Sequence, residues 1–544
     1  MKSSRTPLLN LLRQAYRLAV AANQSENPPA DELIDQWRDH QSRRHFLRSA
    51  GQLTLLAGGL GTLEACRPDV LDPARPQNRD RSARRNDQPV VAIIGAGIAG
   101  LNAAHTFRKN NFTNFTIYEG SARTGGRMYT AKNIMAPGLT TELGGEFIDS
   151  GHRDMLQLAQ EFGLSLLDTQ APSEMALIKD AFYFGGNHYT LSQVVAAFRQ
   201  IAPQLEKDIK SLPPVVDYRT KGVAQTLDQL SISDYLTSIG AGGWLKDLLE
   251  VAYETEFGLS CSVQSSINLL YLISADTRKG QFDIFGISDE RYKIAGGNQQ
   301  IVDRLAALYE SHIELSRILT TIDPAGTKLA LTFDDGSVVQ ADYALITLPF
   351  TKLREVSINV SLEPVKQQCI QELGYGTNAK LMMGFSGHPW RSGGYTGYVF
   401  TDNGVQTGWD NSQRQGIPGA GGYTVYLGGQ RGVEVGQGTP EHQKDIYLPL
   451  LNQIFNGSQV LYNGNVQRFH WPTHPFTKAS YACYTVGQWT SISGAEIEPA
   501  GRLFFAGEHC SFEFQGYMNG GAETGRRAAR QMLRYVAATS ARPV

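Results

Sequence analysis

Cysteine is scarce in this chain, with 5 in 544 residues. Cys66, Cys261, Cys369, Cys483 and Cys510 follow no paired spacing, so neither a disulfide framework nor a zinc knuckle is expected. His470 and His474 have metal-ligand spacing only on a helix, and Pro472 between them breaks that helix; no metal site is expected. No charge sign dominates, since 50 Lys and Arg stand against 52 Asp and Glu. With no arginine-rich aromatic groove either, nothing points to nucleic acid. Long hydrophobic runs are missing too: the mostly apolar run at residues 50–63 is short and glycine-rich, a poor bilayer span. What is present is length and apolar content, 41% hydrophobic over 544 residues, enough for two or three structural units with large cores.

Residues 90–128, VVAIIGAGIAGLNAAHTFRKNNFTNFTIYEGSARTGGRM, read as a buried strand, a glycine turn, a helix and a second strand ending on an acid. That order makes a dinucleotide cradle. Gly95 permits the tight turn, Gly97 lets backbone approach a pyrophosphate, and Gly100 lets the helix pack on the sheet, while N–H groups of the first turn around Ala99 face the phosphates. Glu119 follows at the spacing of a ribose 2′-hydroxyl partner.

Ahead of the cradle, residues 42–48 spell SRRHFLR before the uncharged run 50–63, an order that resembles a twin-arginine export signal. Export by that route suits a protein folded around its cofactor, and the expected location is periplasmic or otherwise extracytoplasmic. Leu63-Glu64-Ala65-Cys66 resembles a lipoprotein box with Glu64 a misfit. Cys66 is therefore a candidate lipid anchor, with a free cysteine or nearby cleavage as alternatives. Residues 67–88 read as a disordered tether. Leu8, Leu11, Leu12, Ala15 and Ala19 repeat at helical spacing in the leader.

Further along, residues 155–275 read as chiefly helical, and 329–348 as two strands around the turn Asp335-Gly336 that re-enter the nucleotide domain. Segments 380–386 and 422–428 suggest a second sheet, and GRLFFAGEHC at 501–510 is a strand and turn ahead of another helix. The expected fold class is α/β: a discontinuous Rossmann-like domain with an inserted α+β substrate domain. Its expected parts are a leader (1–66), a tether (67–88), nucleotide-binding segments (89–150, 291–350 and 466–536), a helical substrate segment (151–290) and a substrate sheet (351–465).

On these motifs the chain resembles the flavin-containing amine oxidases, the family of monoamine oxidases, polyamine oxidases and L-amino acid oxidases. The resemblance rests on IIGAGIAG, Glu119, Arg123-Thr124-Gly125-Gly126-Arg127, ELGGEFI at 142–148, Phe505-Ala506-Gly507-Glu508 and Gly516-Tyr517-Met518. It implies FAD, with Arg123, Gly125, Gly126 and Arg127 at the start of the site and Gly144, Gly145, Glu146 and Trp471 near the flavin ring. Leu319, Gly507, Glu508, Gly516, Tyr517 and Met518 complete the implied set. The helix after Gly516 would offer its positive end to the charge of reduced flavin.

The resemblance also implies oxidation of a primary amine or L-amino acid to an imine, then a carbonyl or keto acid plus ammonia, with oxygen giving peroxide or a quinone taking the electrons. Lys380, in LGYGTNAKLMMGFSGHPW, would hold a water beside the flavin, and Tyr481 and Tyr517 would flank the amine. Ser480 stands where mitochondrial monoamine oxidases carry the flavin-bonding cysteine, so FAD is expected to be noncovalent. Phe147 lies near the place where venom-type L-amino acid oxidases carry an arginine for the substrate carboxylate. Arg153 and Arg391 are candidate substitutes, whereas Glu146, Glu256 and Asp410 are candidates for the distant ammonium of a polyamine or basic amino acid. A flavin desaturase, a protoporphyrinogen-type oxidase and a nonenzymatic FAD protein remain open, as do monomer and homodimer.

Overall fold

The computed structural model describes residues 88–540. The expected export signal, leader helix, lipid anchor and tether fall on residues 1–87, outside the described residues.

The first strand, β1 (Val91–Ile94), is apolar at every position because both of its faces are buried. Val91 and Ile93 join a core with Leu101, Phe107 and Met532, while Ala92 and Ile94 join another with Tyr118, Leu319 and Phe505. After β1 come helix α1 (Ile98–Lys109) and strand β2 (Phe115–Tyr118). β1 pairs in parallel with β2 on one side and with Tyr343–Ile346 on the other; Ile313–Glu314 and Leu503–Phe505 form the edges of this five-stranded parallel sheet. The chain leaves β1 toward one side, and its other neighbour arrives from far along the sequence. The carboxyl ends of the two strands therefore flank the crevice where open α/β sheets take ligands.

The C-terminal helix, Met518–Ser540, lies against α1. A Cβ at Gly525 would sit 2.1 Å from the Ala99 carbonyl oxygen, so only glycine lets the two backbones meet. Asn102 Nδ2 donates to the Ala522 carbonyl at 2.7 Å across the same contact. Both ends of the folded region thereby reach one wall of the crevice.

A second sheet has seven strands in the order Tyr462–His470, Ala379–Phe385, Gly421–Leu427, Gln406–Asp410, Tyr395–Thr401, Ile178–Phe184 and Asn187–Tyr189. Its strands alternate faces. Leu381, Met383, Phe385, Val425 and Leu427 pack with Leu448, Leu451 and Ile454 of the helix Pro440–Ile454. The opposite face presents Lys380, Tyr426 and Thr407, which are direct cross-strand neighbours, and Trp409.

The stretch 155–275 is chiefly helical, as expected, and also holds a hairpin, Ile178–Phe184 and Asn187–Tyr189, at the edge of the second sheet; its sequence signal is FYF-GG-NHY, a glycine turn between aromatic strand residues. The expectation for the next strands is corrected. Residues 329–348 hold three strands rather than two. Lys328–Phe333 and Val338–Ala341 make the hairpin in a separate four-stranded sheet, and Tyr343–Ile346 turns away to join β1. The strand Tyr462–His470 runs in the second sheet across residue 465, the expected boundary. Among the described residues no helix is long and apolar enough to cross a membrane.

Candidate active site

A cavity of about 430 Å³ opens at the carboxyl ends of β1 and Tyr343–Ile346 and reaches to the polar face of the second sheet. Gly95, Gly97, Ala99, Glu119, Arg123, Gly125, Gly126, Arg127, Gly144, Gly145, Glu146, Leu319, Trp471, Gly507, Glu508, Gly516, Tyr517 and Met518 line it, as do Lys380 and Tyr481. Gly100 does not: its Cβ would lie 2.0 Å from the Gly95 carbonyl oxygen, so it serves the packing of α1 on the turn.

At the nucleotide end, Gly95 holds φ +110°, a conformation closed to side-chain-bearing residues. The turn is pinned by Glu119, whose Oε2 accepts from Ala96 N and Oε1 from Ser121 N, both at 2.8 Å. A carboxylate has further lone pairs, so acceptor capacity remains for a ligand hydroxyl. A Cβ at Gly97 would meet nothing nearer than the Gly126 Cα, at 4.0 Å, so two bare glycine turns leave a slot between them. Gly97 also caps α1 without a side chain, and no acid sits in that helix's first turn.

Between the two ends, Glu508 ties early and late motifs together. It accepts from Arg127 Nη1 at 2.9 Å and from Gly516 N at 2.8 Å, and Arg127 also donates to the Ser480 carbonyl at 2.6 Å. The helix that begins at Met518 has no acid in its first turn, which leaves its positive end facing the cavity.

At the other end, Lys380 is buried and all three of its N–H donors are used: on the carbonyls of Glu142 and Gly144 and on Glu146 Oε2, each at 2.9 Å. For Lys380 to hold a water it must release one of these. Glu146 Oε1 lies 3.5 Å from a second buried lysine, Lys293, which donates to the Asn411 carbonyl at 3.1 Å. Nearby, burial pushes the Glu142 carboxyl up to about 7, against the opposing bonds from Asn298 N and Thr130 Oγ1.

Tyr481 and Tyr517 both reach the cavity. Tyr481 Oη bonds Tyr426 Oη at 2.9 Å, and Tyr517 Oη donates to Glu256 Oε1 at 2.7 Å. Burial raises the Tyr481 hydroxyl well above its ordinary value, so it stays a neutral phenol. Tyr398, Trp409, Phe147 and Phe285 complete an aromatic wall around Glu256 and Glu290. Glu290 holds φ +47°, an uncommon backbone state for a non-glycine residue. Its carboxyl is pushed up to about 8, chiefly by burial and then by Glu256 beside it.

Several candidates fall outside the cavity. Arg391 Nη2 meets Glu174 Oε2 at 2.7 Å and its Nε meets Asp410 Oδ2 at 3.3 Å, and none of these three residues lines the cavity. Arg153, the exposed first residue of the helix Arg153–Glu161, is also absent from the lining. Of the three candidate acids, Glu146 is engaged by two lysines and Asp410 lies outside the cavity, while Glu256 lines it and accepts from Tyr517 Oη. The sequence reading missed Glu290, Lys293, Tyr398, Trp409 and Tyr426. Alternation along 406–410 and 421–427 marks Trp409 and Tyr426 as facing one side, but nothing in one sequence says which side meets the cradle.

The pattern of the flavin containing amine oxidoreductases matches residues 98–533. The chain belongs to this family. FAD is accordingly its cofactor, and it is an oxidoreductase of the flavin amine oxidase type. The residues present fit FAD: the bare slot between Gly97 and Gly126 admits a pyrophosphate, Glu119 retains acceptor capacity, and the Met518 helix end faces the far part of the cavity. Similar curated relatives include the flavin-containing amine oxidase of Danio rerio, 23% identical over 454 residues, with 81% of this chain and 85% of that protein covered. Another is the L-amino acid dehydrogenase of Synechocystis, 23% identical over 459 residues, covering 81% and 94%. Among solved structures, putrescine oxidase bound to putrescine superposes with a TM-score of 0.70 at 18% identity, covering 82% of this chain and 99% of that one. Cyclohexylamine oxidase from Brevibacterium oxydans does so with 0.71 at 20% identity and the same coverage. At these identities the likeness to the solved structures is one of fold.

Proposed function

We propose that this enzyme oxidises small primary amines that carry a second cationic group, using oxygen as electron acceptor and noncovalent FAD. The observation that carries the reading is Glu290. It lines the cavity beside Glu256, and among the described residues no side chain hydrogen-bonds or ion-pairs its carboxylate. A half-buried carboxylate in that state, facing a cavity, favours a cationic partner. The acids stand within a wall of Tyr398, Tyr426, Tyr481 and Tyr517, whose faces attract an ammonium and keep water from the reacting carbon. Among the described residues no arginine sits with these groups to take a carboxylate, which favours an amine over an amino acid.

When bound, FAD supplies two-electron oxidation of the carbon–nitrogen bond to an imine, which water then hydrolyses to a carbonyl compound and ammonia. The protein's part is to hold the amine between Tyr481 and Tyr517 and to anchor the distant ammonium at Glu256 and Glu290. Noncovalent binding is supported by Ser480, whose hydroxyl donates to Asn378 Oδ1 at 2.7 Å, and by a cavity lining that, among the described residues, contains no cysteine. SRRHFLR at 42–48 supports export by the twin-arginine route, with Cys66 as the candidate anchor.

The test is an anaerobic amine panel read as loss of flavin colour. Putrescine and cadaverine are expected to reduce the enzyme at low concentration, and Glu290→Gln to raise the concentration required by about 10-fold, equivalent to ~1.4 kcal/mol, with little effect on tyramine. Turnover of tyramine or phenylalanine with diamines inert would refute the cationic substrate.

A further inference from the structure

We propose that Lys380, Glu146 and Lys293 form an electrostatic centre with one excess positive charge, and that Lys293 is a positioning residue tuning the flavin through it. The triad is built into the fold. Lys380 comes from the second sheet, Glu146 from the segment after the strand Thr140–Glu142, and Lys293 from the strand Tyr292–Ile294. The side chains of Lys380, Glu146 and Lys293 are only 4%, 3% and 5% exposed.

One carboxylate serves two ammonium groups. Glu146 gives Oε2 to Lys380 at 2.9 Å and turns Oε1 toward Lys293 at 3.5 Å. The other two bonds of Lys380 go to the carbonyls of Glu142 and Gly144, and Lys293 donates to the Asn411 carbonyl; carbonyls solvate charge without cancelling it. The carboxylate of nearby Glu142 is bonded by Asn298 N and Thr130 Oγ1, and Lys380 meets that residue only at its backbone carbonyl. A buried cation in excess of its counter-ions is unfavourable for folding, and strain of that kind tends to persist where function uses it. Here Lys380 and Glu146 face the FAD cavity, where reduction adds negative charge. The contact of Lys293 with the Phe147 ring, 5.7 Å from its Nζ, keeps the second ammonium directed at Glu146 instead of at solvent. The centre does not depend on which amine is the substrate.

Sulfite binding to the FAD-loaded enzyme tests this by equilibrium absorbance, because the adduct of oxidised flavin is an anion and responds to local charge. The titrations are run at pH 6, below the values of about 7 for Glu142 and about 8 for Glu290, so that those acids contribute little. Lys293→Gln, which removes the excess charge, is expected to weaken sulfite binding at least fivefold. Glu146→Gln, which doubles it, is expected to tighten binding by a similar factor. Lys293→Arg should restore the wild-type value, and the double neutral variant should lie close to it. A merely structural role would shift both single variants the same way. That result, no change on Lys293→Gln, or loss of FAD by both Lys293→Gln and Lys293→Met, would overturn the proposal.

Discussion

Glu290 binds its proton more tightly in the folded enzyme than in the unfolded chain. Its contribution to stability is therefore fully present below the ordinary value of 4.5 and is lost as pH rises through about 8. Glu142 acts with the same sign over a window ending at about 7. In Glu290→Gln, which keeps side-chain size, the melting temperature is expected to gain on that of the wild type as pH rises through this window and to level off beyond it. A difference independent of pH, in scanning calorimetry of both proteins, would mean that Glu290 titrates normally. Cationic substrate should bind more tightly over the same interval, since it favours the ionised carboxylate. Lys380 was legible from its motif. Lys293 was not, because a lysine in a short strand ordinarily points to solvent, and only the position of Glu146 turns it inward.

Among the elements, the contact between α1 and the C-terminal helix leaves no room for a side chain at Gly525. Any side chain at Gly525 meets the Ala99 carbonyl, which is backbone and cannot rotate away. Gly525→Val is expected to destabilise the enzyme by about 1–3 kcal/mol and to weaken FAD retention, because the same movement displaces both helix ends from the cavity. Urea unfolding and flavin release measure the two effects. Gly151→Ala is the control, since a Cβ there meets nothing within 4 Å, and a loss as large as that of Gly525→Val would remove the helix contact as the cause. At this scale the pattern VAIIGAGIAG sufficed for strand, turn and helix, because each is decided by neighbours along the chain. The hairpin within 178–189 and the third strand within 329–348 escaped because short strands draw their stability from partners far away in sequence.

At the scale of the whole molecule, β1, Tyr343–Ile346 and the Met518 helix must dock together before the cavity exists, and Glu508 locks Arg127 to Gly516 across that junction. With Ser480 in place of a flavin-bonding cysteine, acid precipitation is expected to leave colourless protein and free FAD in the supernatant; a yellow pellet would contradict noncovalent binding. Replacing Arg43 and Arg44 together by lysine is expected to hold the enzyme inside the cell, as immunoblots of separated compartments would show, and unimpeded export would remove the twin-arginine assignment. Local sequence determined the nucleotide cradle, because glycine sterics, strand burial and helix polarity act over a few residues; the flavin and Lys380 came from the resemblance of whole motifs to the family's. Tertiary structure decided which acids line the cavity and which lysines share a carboxylate. Those partnerships depend on which face of each strand meets the crevice, and that is set by pairing between segments hundreds of residues apart.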